Sequence, residues 1–365
     1  MRSEFLLVGG RLRPAGQGAV ASSMQVARPR ARVAVAAAGL LVPLLAACGS
    51  SVATPQTLTL YNGQHVQTTD ALVAAFRART GIAVQVRSAD EDALAEQIAT
   101  EGPRSPADLV FTENTPPLFY LEGRGLLARL PAAITDRVPA RDSSPTRRFV
   151  GVTARVSVMV YNPRLIARRA LPSSILDLAA PRFAGRIALA PGETDFQPLV
   201  SAVDRSVGAR RTVAWLRRLR VNAAGHIYGD NETVTAEVSR GAVALGVINQ
   251  YYWYRLRAES GGRIGSRLAE FRPRDPGYLL DVSGIAVLAS STHRAAAERF
   301  IAFVLSAAGQ RIIARSQSYE YPLAKGAPAI AGEPPLSTLK PDALPLEALG
   351  DGTGALALLE QAGLL

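Results

Sequence analysis

The sequence predicts an α/β protein of two lobes, joined by two extended crossings that leave a cleft between them. Three observations carry this. From Thr57 onward, strand-like and helix-like segments alternate in a β-α-β-α-β rhythm, the pattern of a parallel sheet covered by helices. Two long extended runs, Phe149–Val160 and Tyr278–Leu288, are each suited to leave one lobe and enter another. Polar side chains also collect at the carboxyl ends of strands, where open α/β sheets hold their ligands.

Taken in order, Thr57–Tyr61 (TLTLY) alternates as a strand, and Asn62–His65 is a loop. Asp70–Arg79 spaces its apolar residues as a helix and stops before Gly81. Ile82–Val86 is a strand, Asp90–Thr100 a helix, Asp108–Thr112 a strand ending at Glu113, and Pro116–Glu122 a helix that turns out through Gly123–Pro131. After a polar stretch, Thr135–Arg148, comes the first crossing. Arg186–Leu189, His226–Tyr228 and Ala242–Ile248 read as further strands, separated by helices at Phe196–Val207, Ala209–Arg220 and Asn231–Arg240. The return crossing is followed by helices at Thr292–Leu305 and Ala307–Arg315, a Pro-rich stretch, Ala324–Pro345, and a short helix, Gly354–Ala362. The expected division is a first lobe of 57–152 and 283–330, a second of 153–282, and a trailing segment, 331–365. No internal repeat is evident.

Composition narrows the function. At 365 residues, with 48% hydrophobic and 19% charged residues, the chain is an ordinary globular protein long enough for two domains. Its net charge of +11 is less telling than it looks, because six Arg against one Glu within 1–47 account for +5 of it. The remainder holds no block of like charge. Its densest basic cluster, Arg217–Arg220 (RRLR), reads as a solvated helix face, so nucleic acid is not an expected partner. Met24–Ala47 has the form of an export signal: Arg28, Arg30 and Arg32 precede an apolar run, Val33–Ala47, too short to span a membrane alone. Leu45-Ala46-Ala47-Cys48 resembles a bacterial lipobox, which makes Cys48 the expected lipidation site and the extracytoplasmic face of the cell membrane the expected location. Met24 is a plausible start codon, and 48–56 a linker. Cys48 is the only cysteine, so no intramolecular disulfide is available.

The chemistry gathers at Val247–Glu259 (VINQYYWYRLRAE). Tyr251 and Tyr252 follow a buried-looking strand at the start of an amphipathic run, where successive side chains diverge by about 100° and two phenol arms can converge on one point. Two phenolates form a hard-oxygen ligand set suited to Fe³⁺, although alone the pair reads as an aromatic cluster that packs a lobe. Other strand ends add Asn62 and His65, Glu113 and Asn114, and Asn249 and Gln250. His65 alone reads as an ordinary loop residue, and Glu113 alone as an acid at a helix N-terminus. Together they bring an imidazole, a carboxylate and two phenols to one cleft, with no thiol. No G-x-S-x-G, H-E-x-x-H or P-loop pattern is present, which argues against an enzyme.

With these residues in view, the sequence resembles the bacterial ferric-ion-binding proteins, receptors of iron ABC importers. TLTLYNGQH, SPADLVFTEN (Ser105–Asn114), VINQYYW (Val247–Trp253) and YEYPL (Tyr319–Leu323) are similar to that family's segments and occur in its order. The resemblance implies a two-lobed periplasmic-binding-protein fold of the class II type, with two crossing hinge strands and a cleft between the lobes. It implies iron ligands at His65, Glu113, Tyr251 and Tyr252, and anion-holding positions at Asn231 and Asn249. It implies an ABC permease and its ATPase as partners of a monomeric receptor. One stretch departs from the family: where relatives offer a small-residue turn at a helix start to cradle phosphate, this chain reads Pro191-Gly192-Glu193-Thr194-Asp195-Phe196. Two carboxylates there oppose phosphate. Either Glu193 or Asp195 is then expected to fill a coordination position, or a smaller anion such as carbonate is used with Arg155 as counter-charge, unless Arg155 makes an ordinary salt bridge. The alternatives are a same-fold receptor for a polyamine, thiamine or organophosphonate, and a secreted α/β enzyme.

Overall fold

The structure, a computed structural model, describes residues 57–365. The leader, Cys48 and the linker therefore lie outside the described residues. The elements are β1 (Thr57–Asn62), α1 (Val66–Thr80), β2 (Ala83–Ser88), α2 (Glu91–Glu101), β3 (Leu109–Thr112), α3 (Pro116–Gly123), α4 (Ala132–Thr135), β4 (Val150–Tyr161), β5 (Ile187–Ala188), α5 (Phe196–Val207), α6 (Ala209–Asn222), α7 (Asn231–Arg240), β6 (Leu245–Asn249), α8 (Gln250–Glu259), β7 (Arg267–Ala269), β8 (Leu280–Val287), α9 (Arg294–Val304), α10 (Ala307–Arg315), β9 (Tyr321–Pro322) and α11 (Thr353–Ala362). Among the described residues no helix is long and apolar enough to cross a membrane.

The strands run in the order β2-β1-β3-β8-β4-β6-β5, and β7 and β9 also pair with β4. In the first lobe β1 lies parallel to β2 and β3, as the alternating rhythm requires, and β8 returns antiparallel to β3. In the second lobe β5 and β6 are parallel, and β6 pairs antiparallel with the far half of β4. The crossings are β4 and β8, antiparallel to each other, with Arg155 opposite Asp281. All 12 residues of β4 are buried, as expected of a strand that serves both sheets. The chain is thus two-lobed, with α5–α8 around the second sheet.

Three local differences from the sequence expectation have physical causes. Helix α1 begins at Val66 instead of Asp70. The β-branched Thr68 and Thr69 mask its first turn, which is set by a pinned loop: Gln64 Oε1 accepts from the His65 amide at 2.6 Å, and Thr69 Oγ1 donates to Asn62 Oδ1 at 2.9 Å. His226–Tyr228 is not a strand. Only Ile227 forms a single parallel bridge, to Leu189, because β5 beside it is two residues long and offers no ladder. Finally, β7 and β9 have three and two residues, too short to show any periodicity. The trailing segment ends in α11, which packs on α5 and α6 of the second lobe.

Candidate functional site

His65 sits at the N-cap of α1 but makes no side-chain cap bond, so its ring is available to the cleft. Glu113 follows β3. The two meet at 3.0 Å between Nδ1 and Oε1. Burial, with Arg255 and Arg155 nearby, pushes the imidazole down to about 3, while burial and the Asp195 charge raise the Glu113 carboxyl well above its usual range. The imidazole is therefore neutral near neutral pH, and the contact is a hydrogen bond instead of an ion pair.

From the other lobe, β6 runs into α8 without a turn. Asn249 is the N-cap, and Tyr251 and Tyr252 occupy the first helical turn, both buried. Their rings stack with centroids 4.0 Å apart, and the Tyr251 ring meets His65 edge-on at 5.1 Å. Both phenols converge on one acceptor: Tyr251 and Tyr252 donate to Asp195 Oδ2 at 3.3 and 3.0 Å. Burial, then the Asp195 charge, raises both phenols well above their ordinary value. Arg255, one turn beyond Tyr251, lies over both rings at 5.0 and 5.8 Å and brings Nη2 to 3.5 Å from His65 Nε2.

Asp195 is the centre of this arrangement. It is the N-cap residue of α5, yet it spends no bond on that helix's amides. Its Oδ1 instead receives Arg155 Nη2 at 2.8 Å and Asn114 Nδ2 at 3.2 Å. Burial alone would raise Asp195, but the Arg155 guanidinium and the hydrogen bonds hold it below the usual carboxylate range. Arg155 is fully buried in β4. It also donates Nη2 to Asn114 Oδ1 at 2.6 Å, Nη1 to the Glu113 carbonyl, and Nη1 to Glu320 Oε1 at 3.3 Å. It thus pairs with Asp195 and Glu320 at once.

Glu193 is elsewhere. Its Oε1 accepts the Asn231 backbone N–H at 3.3 Å at the start of α7, and burial and neighbouring carboxylates push it up to about 7. Asn249 Oδ1 accepts from Ser157 Oγ at 3.1 Å. Asn231 and Asn249 line a void of about 10 Å³ beside Asp195. Three contributors lay outside the sequence candidates. Glu91, whose carboxylate receives the Asn114 amide and side chain at 2.9 and 2.7 Å, is pushed up to about 8 by burial and Asp92. Glu320 and Arg255 are the others. Glu320 stands inside the YEYPL segment, next to Tyr319 with its left-handed φ of 55°, and that segment was the available signal.

Among the described residues no three His, Cys, Asp or Glu side chains are grouped to hold a metal, so any metal site here must count the phenols. The donors are hard oxygens and one imidazole, a set that suits a highly charged cation of the ferric kind. Across the cleft the lobes are in contact: His65 with Tyr251, Asn114 with Asp195, and Asp92 with Gln197 at 2.7 Å.

A family model described as bacterial extracellular solute-binding protein matches residues 59–316. The Fe(3+)-binding periplasmic protein of Serratia marcescens is 35% identical over 325 residues, covering 88% of this chain and 95% of that protein. The major ferric iron-binding protein of Neisseria meningitidis serogroup A is 34% identical, covering 88% and 97%. Iron-bound HitA from Pseudomonas aeruginosa matches in structure with a TM-score of 0.79 at 40% identity, covering 85% of this chain and 100% of that one. The chain belongs to the bacterial extracellular solute-binding proteins and, among them, to the ferric-ion-binding group.

Proposed function

We propose that this solute-binding protein captures ferric iron between its lobes and delivers it to an ABC permease driven by its ATPase. One observation carries the reading. Two phenols from the second lobe converge on a single ionised carboxylate in a buried cleft, and a His–Glu pair from the first lobe meets one of them edge-on. Tyr251 and Tyr252 would bind as phenolates, with His65 through its imidazole and Glu113 through its carboxylate. A trivalent cation lowers the pKa of the groups it binds, and so supplies the drive to remove protons that burial otherwise retains. Ligands from both lobes tie affinity to closure, so release follows opening. Cys48 would carry the lipid that holds the receptor at the outer face of the cell membrane. The reading is of a monomeric carrier with no catalytic residue.

Titration of iron-free protein with ferric nitrilotriacetate tests this. Phenolate-to-iron charge transfer should give an orange-red band, lost in a Tyr251→Phe/Tyr252→Phe double variant. A wild type without the band, or a double variant that keeps it, would overturn the assignment.

A further inference from the structure

The chain offers Asp195 where a metal between Tyr251 and Tyr252 would otherwise draw a small anion from solution. We propose that the Asp195 carboxylate, held by Arg155, is a built-in counter-anion of the metal site, so that iron binding needs no exogenous phosphate, carbonate or chelator. The inference rests on the ferric-iron reading above and decides between Glu193 and Asp195.

Five observations support it. Asp195 Oδ2 already lies within hydrogen-bond distance of both phenolic oxygens, so an ion bound by those oxygens has this carboxylate beside it. Its other oxygen is anchored by Arg155 and Asn114, which fixes its orientation before metal arrives. Glu193, two residues away, is committed to the start of α7 and hydrogen-bonds to neither phenol. The void beside Asp195, about 10 Å³, has room for about one water. Asn249, on its wall, has a buried Nδ2 without a partner, which suits such a water.

Charge balance points the same way. Fe³⁺ bound by two phenolates, the Glu113 carboxylate and a neutral imidazole is formally neutral. Asp195 and Arg155 add one negative and one positive charge and leave it neutral. An oxyanion would add negative charge to a buried site where only Arg255, already paired with Glu232, could meet it, which is costly.

Iron-free wild type is titrated with ferric nitrilotriacetate radiolabelled in the chelator, in buffer free of phosphate and carbonate, then desalted. The expected result is a single iron with its charge-transfer band, no retained label, phosphate or carbonate, and an affinity unmoved by millimolar phosphate or bicarbonate. Asp195→Asn should bind iron about 10–100-fold more weakly, with or without either anion. Stoichiometric retention of chelator, phosphate or carbonate by wild type overturns the proposal, as does an Asp195→Asn protein that binds normally without anion. Retention by wild type is decisive even if the variant does not fold, which circular dichroism would reveal. A wild type with no band under any anion condition overturns instead the ferric reading on which the proposal rests.

Discussion

Asp281 stands opposite Arg155 on the β4–β8 ladder, fully buried, with Oδ2 accepting from Ser157 Oγ at 3.3 Å and Oδ1 without a partner. Burial pushes its carboxyl up to about 7 from an ordinary 3.8, against the pull of Arg155. The folded chain therefore keeps a proton that the unfolded chain releases. The associated stability is fully present below about pH 4 and is lost as pH rises towards about 7, by an amount of order 4 kcal/mol. Asp281→Asn keeps an acceptor for Ser157 and removes the charge. It should raise the melting temperature of iron-free protein at about pH 8 and change it little near pH 4. A pH-independent difference in thermal melts would contradict this. The sequence showed which residues end strands, so His65, Glu113, Tyr251 and Tyr252 could be read from it. It could not show what surrounds Arg155, because Asn114, Asp195 and Glu320 come from three distant stretches and meet only when the lobes do.

At the scale of the element, the β6–α8 junction does most to build the site. Strand β6 packs beneath α7, and Gly246 allows the approach. A Cβ there would stand 2.5 Å from Val234 Cγ1 and 3.2 Å from the Ala188 carbonyl. Gly246→Ala should cost about 1–3 kcal/mol through overpacking. Because α8 continues directly from β6, it should also displace both phenols and weaken iron binding. Thermal melts and the charge-transfer titration together check both effects; a destabilised variant with unchanged affinity would uncouple strand from site. This junction was legible because a buried apolar run ends abruptly in NQYY. The role of α6 was not. Its RRLR cluster is solvated as expected, with all three arginines exposed, and from that face Arg217 Nη2 also donates to the Gln361 carbonyl at 3.1 Å and Arg220 Nη1 to the Gly363 carbonyl at 3.4 Å, satisfying the end of α11. Such a contact, 143 residues away in sequence, leaves no local signature.

For the whole molecule, metal and protons compete for one closed cleft. Glu91, pushed up to about 8, joins Asp281 and Glu333, both at about 7 and all raised chiefly by burial. Each raised carboxyl gives stability that is present at low pH and lost as pH rises through its window, so the melting temperature of iron-free protein should fall from about pH 5 to about pH 8. With the proposed ligands iron binding has the opposite slope, since the phenols and Glu113 would have to release protons to coordinate, and affinity would grow as protons become scarce. Iron at about 1,000 times its dissociation constant adds about 4 kcal/mol. The increase in melting temperature on adding iron should therefore be largest at the upper end of this range and shrink on acidification. Calorimetry of iron-free and iron-loaded protein across that range would show the two curves diverging as pH rises. Parallel curves would mean that iron displaces no protons and that the phenols are not its ligands.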